Sequence, residues 1–204
     1  MSRDKTLGTI ALASGNVHKA HEWQALLPGW RVETLDMRDA PAETGLTFGE
    51  NALAKARFGA TIAPPSNWVL GEDSGLVVEA LSGAPGIRSA RFAGEGATDG
   101  DNVVLLLAQM VGASDRRARF LCAAACLLPE GPNAAGERTE LQVDGVLEGE
   151  IASAPRGDAG FGYDPVFVPA GEVRTLAELG GGWKRASSHR ARAATQLLEL
   201  LDRC

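Results

Sequence analysis

Two hydrophobic periodicities alternate along the first half of the chain. Residues 6–13 form a short apolar run that predicts a strand, and residues 17–27 place their apolar side chains on one helical face. A second strand is predicted at 30–35, and residues 48–62 return to helical periodicity. The segment 68–76 predicts a buried strand that runs into a turn. This order of elements is typical of an α/β fold.

The second half of the chain continues the mixture of helices and strands. An apolar helix is predicted to follow Thr98, whose hydroxyl is a suitable cap. Residues 117–128 and 138–152 predict two strands, antiparallel neighbours joined by a loop, and Ser187 or Ser188 caps a last helix. Because no repeat, low-complexity tract or linker interrupts the pattern, we expect a single α/β domain.

Composition and charge narrow the class of protein. A chain of 204 residues with 45% apolar content buries a substantial core, and no stretch approaches the roughly 18 uncharged residues of a membrane span. The formal net charge of −6 argues against a nucleic-acid binder, because binding to the phosphate backbone requires a broad basic surface. The three cysteines, Cys122, Cys126 and Cys204, are an odd number without metal-ligand spacing, and the opening segment has no secretory signal. We therefore expect a soluble cytoplasmic protein.

The segment SGNVHK at 14–19 lies between a predicted strand and a predicted helix. The backbone amides of the turn, the helix dipole and Lys19 would together attract phosphate. The spacing of a Walker A loop is missing, so a purely structural turn is an equal alternative.

Several carboxylates are candidates for a magnesium site. Glu72 and Asp73, followed by Ser74, offer the oxygen ligands that Mg²⁺ prefers, and Glu50 adds a carboxylate from another element. The alternative is a solvated Glu72 and an Asp73 that caps a turn. Lys55 lies one turn beyond the start of the same helix as Glu50, as a phosphate-binding cation or an exposed solubilising lysine.

Three later segments add further candidates. Arg91, in a glycine-rich loop, is suited to clamping a phosphate or to pairing with nearby acids. Phe161 and Tyr163 would stack on a base, or else belong to the core. A basic cluster at a helix N-terminus would hold an anion or a carbonyl oxygen, and its members are Lys184, His189 and Arg190.

Five segments, taken together, resemble the Ham1/RdgB/ITPA family. They are SGNVHKAHE at 14–22, TGLTFGENALAKA at 44–56, EDSGLVVEALSGAPGIRSARFAG at 72–94, FGYDPVF at 161–167 and SHRARA at 188–193. The five segments follow in this order and together extend over nearly the whole chain. Members of this family are pyrophosphatases that cut ITP, dITP and XTP into the nucleoside monophosphate and pyrophosphate.

The resemblance implies an elongated α/β mixed-sheet fold of two lobes, with an active-site cleft between them, and a homodimer. It implies that Glu50 and Asp73 contact Mg²⁺ and that Asp73 accepts a proton from the attacking water. Substrate contacts are implied for Ser14, Gly15, Asn16, Val17, His18, Lys19, Ser74, Phe161, Gly162, Tyr163, Asp164, Lys184, His189 and Arg190. Lys55 and Arg91 remain phosphate candidates from the residues alone.

The chain departs from the family pattern at a few positions. Glu72 stands where the family carries an aspartate, and His18 stands where a small glycine is usual. A glutamate commonly found just before Lys184 is replaced by Trp183. The longer side chain of Glu72 is expected to alter metal geometry.

Two other functions compete with this expectation. A Maf-like pyrophosphatase of different specificity would share the α/β style but lacks the FGYDP and SHR segments. A non-catalytic nucleotide- or RNA-binding module would keep a cleft without the chemistry. Glu50 and Asp73 argue against this module, because carboxylates repel phosphate unless a metal intervenes.

Overall fold

A computed structural model describes residues 7–130 and 138–203 and contains a six-stranded sheet flanked by helices. The strands are β1 (Gly8–Ala13), β2 (Trp30–Thr34), β3 (Trp68–Val78), β4 (Arg117–Leu127), β5 (Glu140–Ile151) and β6 (Phe167–Pro169). The helices are α1 (Val17–Leu26), α2 (Phe48–Ile62), α3 (Asp99–Gln109), α4 (Leu176–Ser187) and α5 (His189–Leu201), with 3₁₀ turns at Glu79–Leu81 and Gly86–Arg91. Residue 6, most of the loop between β4 and β5, and Cys204 lie outside the described residues.

The strand order across the sheet is β2-β1-β3-β4-β5-β6. Strand β1 pairs in parallel with both β2 and β3, whereas β5 and β6 are antiparallel. The sheet is therefore mixed, and the predicted α/β class is confirmed. No helix within 7–130 or 138–203 has the length and hydropathy needed to cross a membrane.

The chain divides into two compact units. The first consists of Met1–Asp73, Cys122–Asp144 and Arg192–Cys204. One face of its sheet packs on α1 and α5, where Ile10 and Leu12 of β1 contact a cluster that includes Trp23 and Leu197. All four side chains are fully buried. Strand side chains alternate between faces, so every second residue of β1 belongs to this layer.

The opposite face of the first unit packs on α2. Ala11 and Val69 share a second apolar cluster with Ala52 and Ala56 of that helix. At Gly71 the approach is so close that an added Cβ would lie 2.1 Å from the Ala52 carbonyl oxygen. The missing side chain at Gly71 therefore lets α2 lie directly against β3.

The second unit consists of Ser74–Leu121 and Gly145–Ala191. Its core joins Leu76 of β3, Phe120 of β4 and Phe167 of β6 to the two helices α3 and α4. The helices contribute Leu106 and Leu176, both fully buried.

The predicted turn within 68–76 is wrong, because β3 continues to Val78. Leu76, Val77 and Val78 are buried, and the backbone amide of Leu76 donates to Ser89 Oγ at 2.9 Å. Burial of this apolar run keeps the chain extended past the carboxylates. Glu72 and Asp73 therefore lie inside a strand.

The predicted helix caps are confirmed. Thr98 Oγ1 accepts from the Asp101 amide in a capping box at the start of α3. Ser188 Oγ accepts from the Ala191 amide at the start of α5, which decides between the two candidate serines. The predicted helix over 48–62 matches α2, whose first turn is capped by Thr47.

Candidate active site

The candidate residues of the first unit begin with the loop between β1 and α1. Asn16 caps α1, and its Oδ1 accepts from the amides of His18 at 2.9 Å and Lys19 at 3.3 Å. The amide of Asn16 in turn donates to Ser14 Oγ at 3.2 Å. A Cβ added at Gly15 would meet nothing within 4 Å. Hydrogen bonds within the loop therefore fix its conformation, while the space beside Gly15 is open.

Lys19 turns its side chain toward β3. Its Nζ lies 3.0 Å from Oε2 of Glu72, with side-chain exposures of 14% and 0%. Cys122 of β4 donates through its thiol to Oε1 of the same carboxylate, at an Sγ to oxygen distance of 3.6 Å. Glu72 is therefore a buried carboxylate between a lysine and a thiol.

Asp73 contacts a different set of partners, all on or near α2. Its Oδ2 accepts from Asn51 Nδ2 at 3.0 Å, and its Oδ1 accepts from Lys55 Nζ at 2.9 Å. Lys55 Nζ also lies 2.6 Å from Oε1 of Glu43. Asn51 and Lys55 are one helical turn apart, so they share the face of α2 that reaches Asp73.

The ammonium of Lys55 is strongly held in its charged form. Burial acts to lower the pKa of Lys55, but the carboxylates of Asp73 and Glu43 outweigh it and raise that pKa above its usual value. Lys55 is therefore protonated at neutral pH and places a positive charge on Asp73.

Glu72 and Asp73 point to opposite faces of the sheet. Neighbouring residues of a strand alternate in direction, and here Glu72 meets α1 through Lys19 while Asp73 meets α2. The structure does not bring the two carboxylates to one point. The two side chains point apart because residues 72 and 73 lie within a strand. The sequence pattern predicts a turn for both residues.

The donor set suits a magnesium ion that brings ligands of its own. Within the described parts of the chain, no group of three or more His, Cys, Asp and Glu side chains is placed to hold a metal. Mg²⁺ commonly uses one or two carboxylates and completes its shell with water and substrate phosphates. Each carboxylate oxygen of Asp73 accepts one hydrogen bond and retains a second lone pair. Glu50, the residue before Asn51, is exposed, and its Oε2 accepts from the Leu46 amide at 2.6 Å.

The candidates of the second unit gather around Phe161. Lys184 Nζ pairs with Asp164 Oδ2 at 2.7 Å, and both side chains are buried. The same ammonium lies 4.8 Å from the centroid of the Phe161 ring, and the Arg190 guanidinium lies 6.0 Å from it. The amide of Phe161 donates to Asp164 Oδ2 at 3.1 Å. One carboxylate therefore anchors both the lysine and the aromatic loop.

His189 and Arg190 are also buried at the start of α5. The His189 imidazole stacks on Phe120, with centroids 4.8 Å apart and planes at 12°. Arg190 donates from Nη2 to Ser74 Oγ at 3.1 Å. These contacts connect Ser74, which follows Asp73 directly in β3, to the cluster around Phe161.

Tyr163 and Arg91 have other surroundings. Tyr163 is buried in the core of the second unit, and its hydroxyl donates to the Ser89 carbonyl at 2.9 Å. Arg91 ends a 3₁₀ turn, with its Nε 3.8 Å from Oε1 of Glu95. Gly162 donates its amide to Asp99 Oδ2 at 2.7 Å, which tethers the aromatic loop to α3.

Sequence reasoning did not select four residues that the structure places among these contacts: Glu43, Asn51, Phe120 and Cys122. The spacing of Asn51 and Lys55 was a usable signal, because residues four apart share a helical face. Phe120 and Cys122 offered none, since apolar residues in a strand are ordinary core positions.

Comparison with known proteins identifies the family. The Ham1 family model matches residues 10–200. A dITP/XTP pyrophosphatase of Streptomyces coelicolor is 48% identical, with 94% of this chain and 96% of the relative covered. One of Geobacillus kaustophilus is 45% identical, with 93% and 92% covered.

Solved structures agree with the family match. A HAM1 protein from Coxiella burnetii has a TM-score of 0.80 at 40% identity, covering 97% of this chain and all of that chain. The Staphylococcus aureus Ham1 protein has a TM-score of 0.79 at 36% identity, with 95% and 98% covered. The mixed sheet with its flanking helices is the fold class of these α/β proteins. The chain belongs to the Ham1 family.

Proposed function

We propose that the chain hydrolyses the purine nucleoside triphosphates ITP, dITP and XTP to the monophosphate and pyrophosphate. This removes non-standard nucleotides from the pool before they enter DNA or RNA. Support comes from relatives named dITP/XTP pyrophosphatase that match nearly the full chain. The observation that carries the proposal is a buried carboxylate, Asp73, held between Asn51 and Lys55.

Asp73 is the proposed proton acceptor for the attacking water. Its two oxygens are oriented by Asn51 and by the protonated Lys55, and each keeps a lone pair for the incoming water. A positioned general base of this kind contributes about 10²–10⁴ in rate. Because both partners lie on α2, the packing of α2 on β3 determines where the base sits.

Asp73 and Glu50 are the proposed carboxylate ligands of Mg²⁺. When bound, Mg²⁺ neutralises charge on the phosphates and on the leaving pyrophosphate. These carboxylates would otherwise repel a triphosphate, so a cation is required beside them. Glu72, the third carboxylate in the sequence prediction, faces Lys19 instead.

The loop of residues 14–19 is the proposed phosphate site, with Lys19 as its cation. Asn16 already satisfies two amides of α1, so binding would rely on the remaining amides, on Ser14 and on the ammonium of Lys19. Arg91 stays a predicted phosphate contact.

The cluster around Phe161 is the proposed base site. The ring of Phe161 offers a stacking face, while Lys184, His189 and Arg190 are donors for a 6-oxo group. An adenine presents an amino group at the same position, so these donors would lose their partner. Such a mismatch discriminates by orders of magnitude when the donors are buried.

Different observations support a proposal about the protein in the cell. The family resemblance implies a homodimer, whereas the cysteine content favours the cytoplasm and the net charge of −6 argues against nucleic-acid partners. We propose a cytoplasmic homodimer without nucleic-acid or membrane partners. Light scattering coupled to gel filtration would show twice the 21.3 kDa chain mass, and a monomer would contradict it.

Pyrophosphate release from ITP, XTP, dITP, GTP, ATP and dTTP, each with Mg²⁺ and with EDTA, tests the function. We expect metal-dependent release from the first three, with the monophosphate as coproduct. A preference for dTTP would support a Maf-like pyrophosphatase instead. No turnover of any nucleotide would support a binding module.

A further inference from the structure

Glu72 is a charged side chain with no solvent exposure. A buried carboxylate is costly unless it is paired and hydrogen-bonded, and its partners here are Lys19 Nζ at 3.0 Å and the Cys122 thiol at 3.6 Å. The Asp73 carboxylate has different partners, because its hydrogen bonds come from Asn51 and Lys55. The two acids therefore serve different elements.

We propose that Glu72 is a positioning residue that fixes Lys19 for phosphate binding, with Cys122 orienting the carboxylate, and that it is not a ligand of the metal. This inference rests on the proposed function, because it concerns how the same site holds a triphosphate.

Lys19 is fixed at both ends. Its backbone amide donates to the Asn16 side chain. Its ammonium contacts Glu72 on the face of the sheet that packs against α1. The ammonium forms an ion pair with the Glu72 carboxylate, and its three N–H groups are also the donors that would reach phosphate oxygens. A lysine side chain otherwise samples many rotamers, and holding it before the ligand arrives lowers the entropy cost of binding.

The direction of a strand side chain excludes a shared metal. Because residues 72 and 73 are consecutive in β3, their side chains leave the sheet on opposite faces. An ion held by Asp73 would be on the α2 face, whereas the Glu72 carboxylate leaves the strand on the α1 face. The two adjacent carboxylates therefore have different roles: Asp73 is the base, and Glu72 positions Lys19.

The first test measures the contact on the protein alone, without nucleotide or metal. Lys19 is acylated with a limiting amount of acetic anhydride at fixed pH, and the extent of reaction at this lysine is followed by peptide mass spectrometry. In Glu72→Gln the ammonium loses its carboxylate, and we expect Lys19 to react at least about fivefold faster. An unchanged rate overturns the proposal.

Cys126→Ala is the matched control. Cys126 lies in the same strand as Cys122 and is equally buried, but the thiol that donates to Glu72 is that of Cys122. Cys126→Ala removes the same sulfur atom as a Cys122→Ala truncation in the same strand, so it reports general loosening of the core. We expect no change in Lys19 acylation, and an acceleration equal to that of Glu72→Gln would contradict a specific contact.

Cys122 provides a milder pair of variants, which keeps the test valid if Glu72→Gln fails to fold. Cys122→Ala removes only the donor to Oε1, and we expect about a twofold acceleration of Lys19 acylation. Cys122→Ser retains a hydroxyl donor and restores the wild-type rate. Equal rates in both variants would contradict the assigned role of the thiol.

The second test separates a lysine support from a metal ligand. Glu72→Gln is expected to raise the KM for XTP about tenfold without moving the half-saturating Mg²⁺ concentration. In a Lys19→Met background the same substitution adds no further rise, because its effect passes through Lys19. A raised half-saturating Mg²⁺ concentration at constant KM overturns the proposal. If the wild type turns over no nucleotide, the proposed function fails, while acylation still decides whether Glu72 holds Lys19.

Discussion

Gly71 stands two residues before Asp73 and determines how closely its partners approach. A Cβ at this position would lie 2.1 Å from the Ala52 carbonyl oxygen and 2.5 Å from the Ala56 amide nitrogen. Neither atom belongs to a flexible side chain, so α2 itself would have to move. The contacts of Asn51 and Lys55 with Asp73 depend on this approach.

Gly71→Ala is expected to lower the free energy of unfolding by about 2–3 kcal/mol, because it overpacks backbone against backbone. We also expect kcat to fall, since α2 carries both partners of Asp73. Urea denaturation and steady-state kinetics measure the two effects. Gly100→Ala is the control, because its Cβ would make only an ordinary contact, 3.7 Å from Thr98 Oγ1. Equal stability of Gly71→Ala and the wild type would contradict this account.

Tyr163 is the only tyrosine of the chain, so its ionisation is directly visible. Burial, and secondarily the charge of Asp99, raise the pKa of its phenol above the usual value of 10.0. The folded state therefore favours the neutral phenol, and this contribution to stability is complete below pH 10 and is lost as the pH rises further.

Absorbance of tyrosinate near 295 nm tests this shift. At about pH 10.5 we expect a smaller tyrosinate fraction in the folded protein than in the urea-unfolded chain, which is more than half ionised there. A folded-state midpoint near that of the unfolded chain would contradict the burial of Tyr163 and its hydrogen bond to Ser89.

Helix α4 carries Lys184 and contains a break at Gly180. This residue has φ 76° and ψ −178°, a conformation that side-chain-bearing residues avoid. Lys184 follows one turn later and pairs with Asp164. The break therefore sets the direction of the segment that brings Lys184 to Phe161.

The glycine run offers a matched pair of substitutions. Gly180→Ala is expected to cost about 1–3 kcal/mol of stability, because alanine is strained at this backbone conformation. Gly182→Ala is expected to stabilise the helix by up to about 1 kcal/mol, since its Cβ would meet nothing within 4 Å. Thermal unfolding measures both. The same sign for the two variants would contradict the assigned role of Gly180.

Elements with complete local signals were predictable from the sequence. Helix α2 has apolar spacing and a capping threonine, and its bounds match the prediction of 48–62. Helix α4 was missed because its three consecutive glycines oppose helix formation. The predicted strand is shorter than β3 because Glu72, Asp73 and Ser74 are typical of a turn. The burial of the two carboxylates depends on partners that are remote in sequence.

The site was predictable only in part, for a related reason. The role of Asp73 as the base is implied by the family resemblance, and the structure places its carboxylate between two polar partners of α2. The partition of Glu72 and Asp73 between two faces required the strand to extend past both. The thiol of Cys122, fifty residues from Glu72, has no local signal at all.

Three strands pass from one compact unit into the other along the chain: β3, β4 and β5. Neither unit therefore contains all residues of its own strands. We expect the chain to unfold as one domain, with a calorimetric enthalpy equal to the van't Hoff enthalpy. Two resolved heat-capacity peaks would contradict the predicted single domain.

The central claim is that Asp73 activates the water that attacks the triphosphate, and Asp73→Asn tests it most directly. An amide of the same shape cannot accept the proton, so at saturating Mg²⁺ kcat for XTP is expected to fall at least about 100-fold while KM stays within about threefold. Circular dichroism of the variant confirms that the fold is intact. Turnover close to that of the wild type would contradict the role of Asp73 as the base.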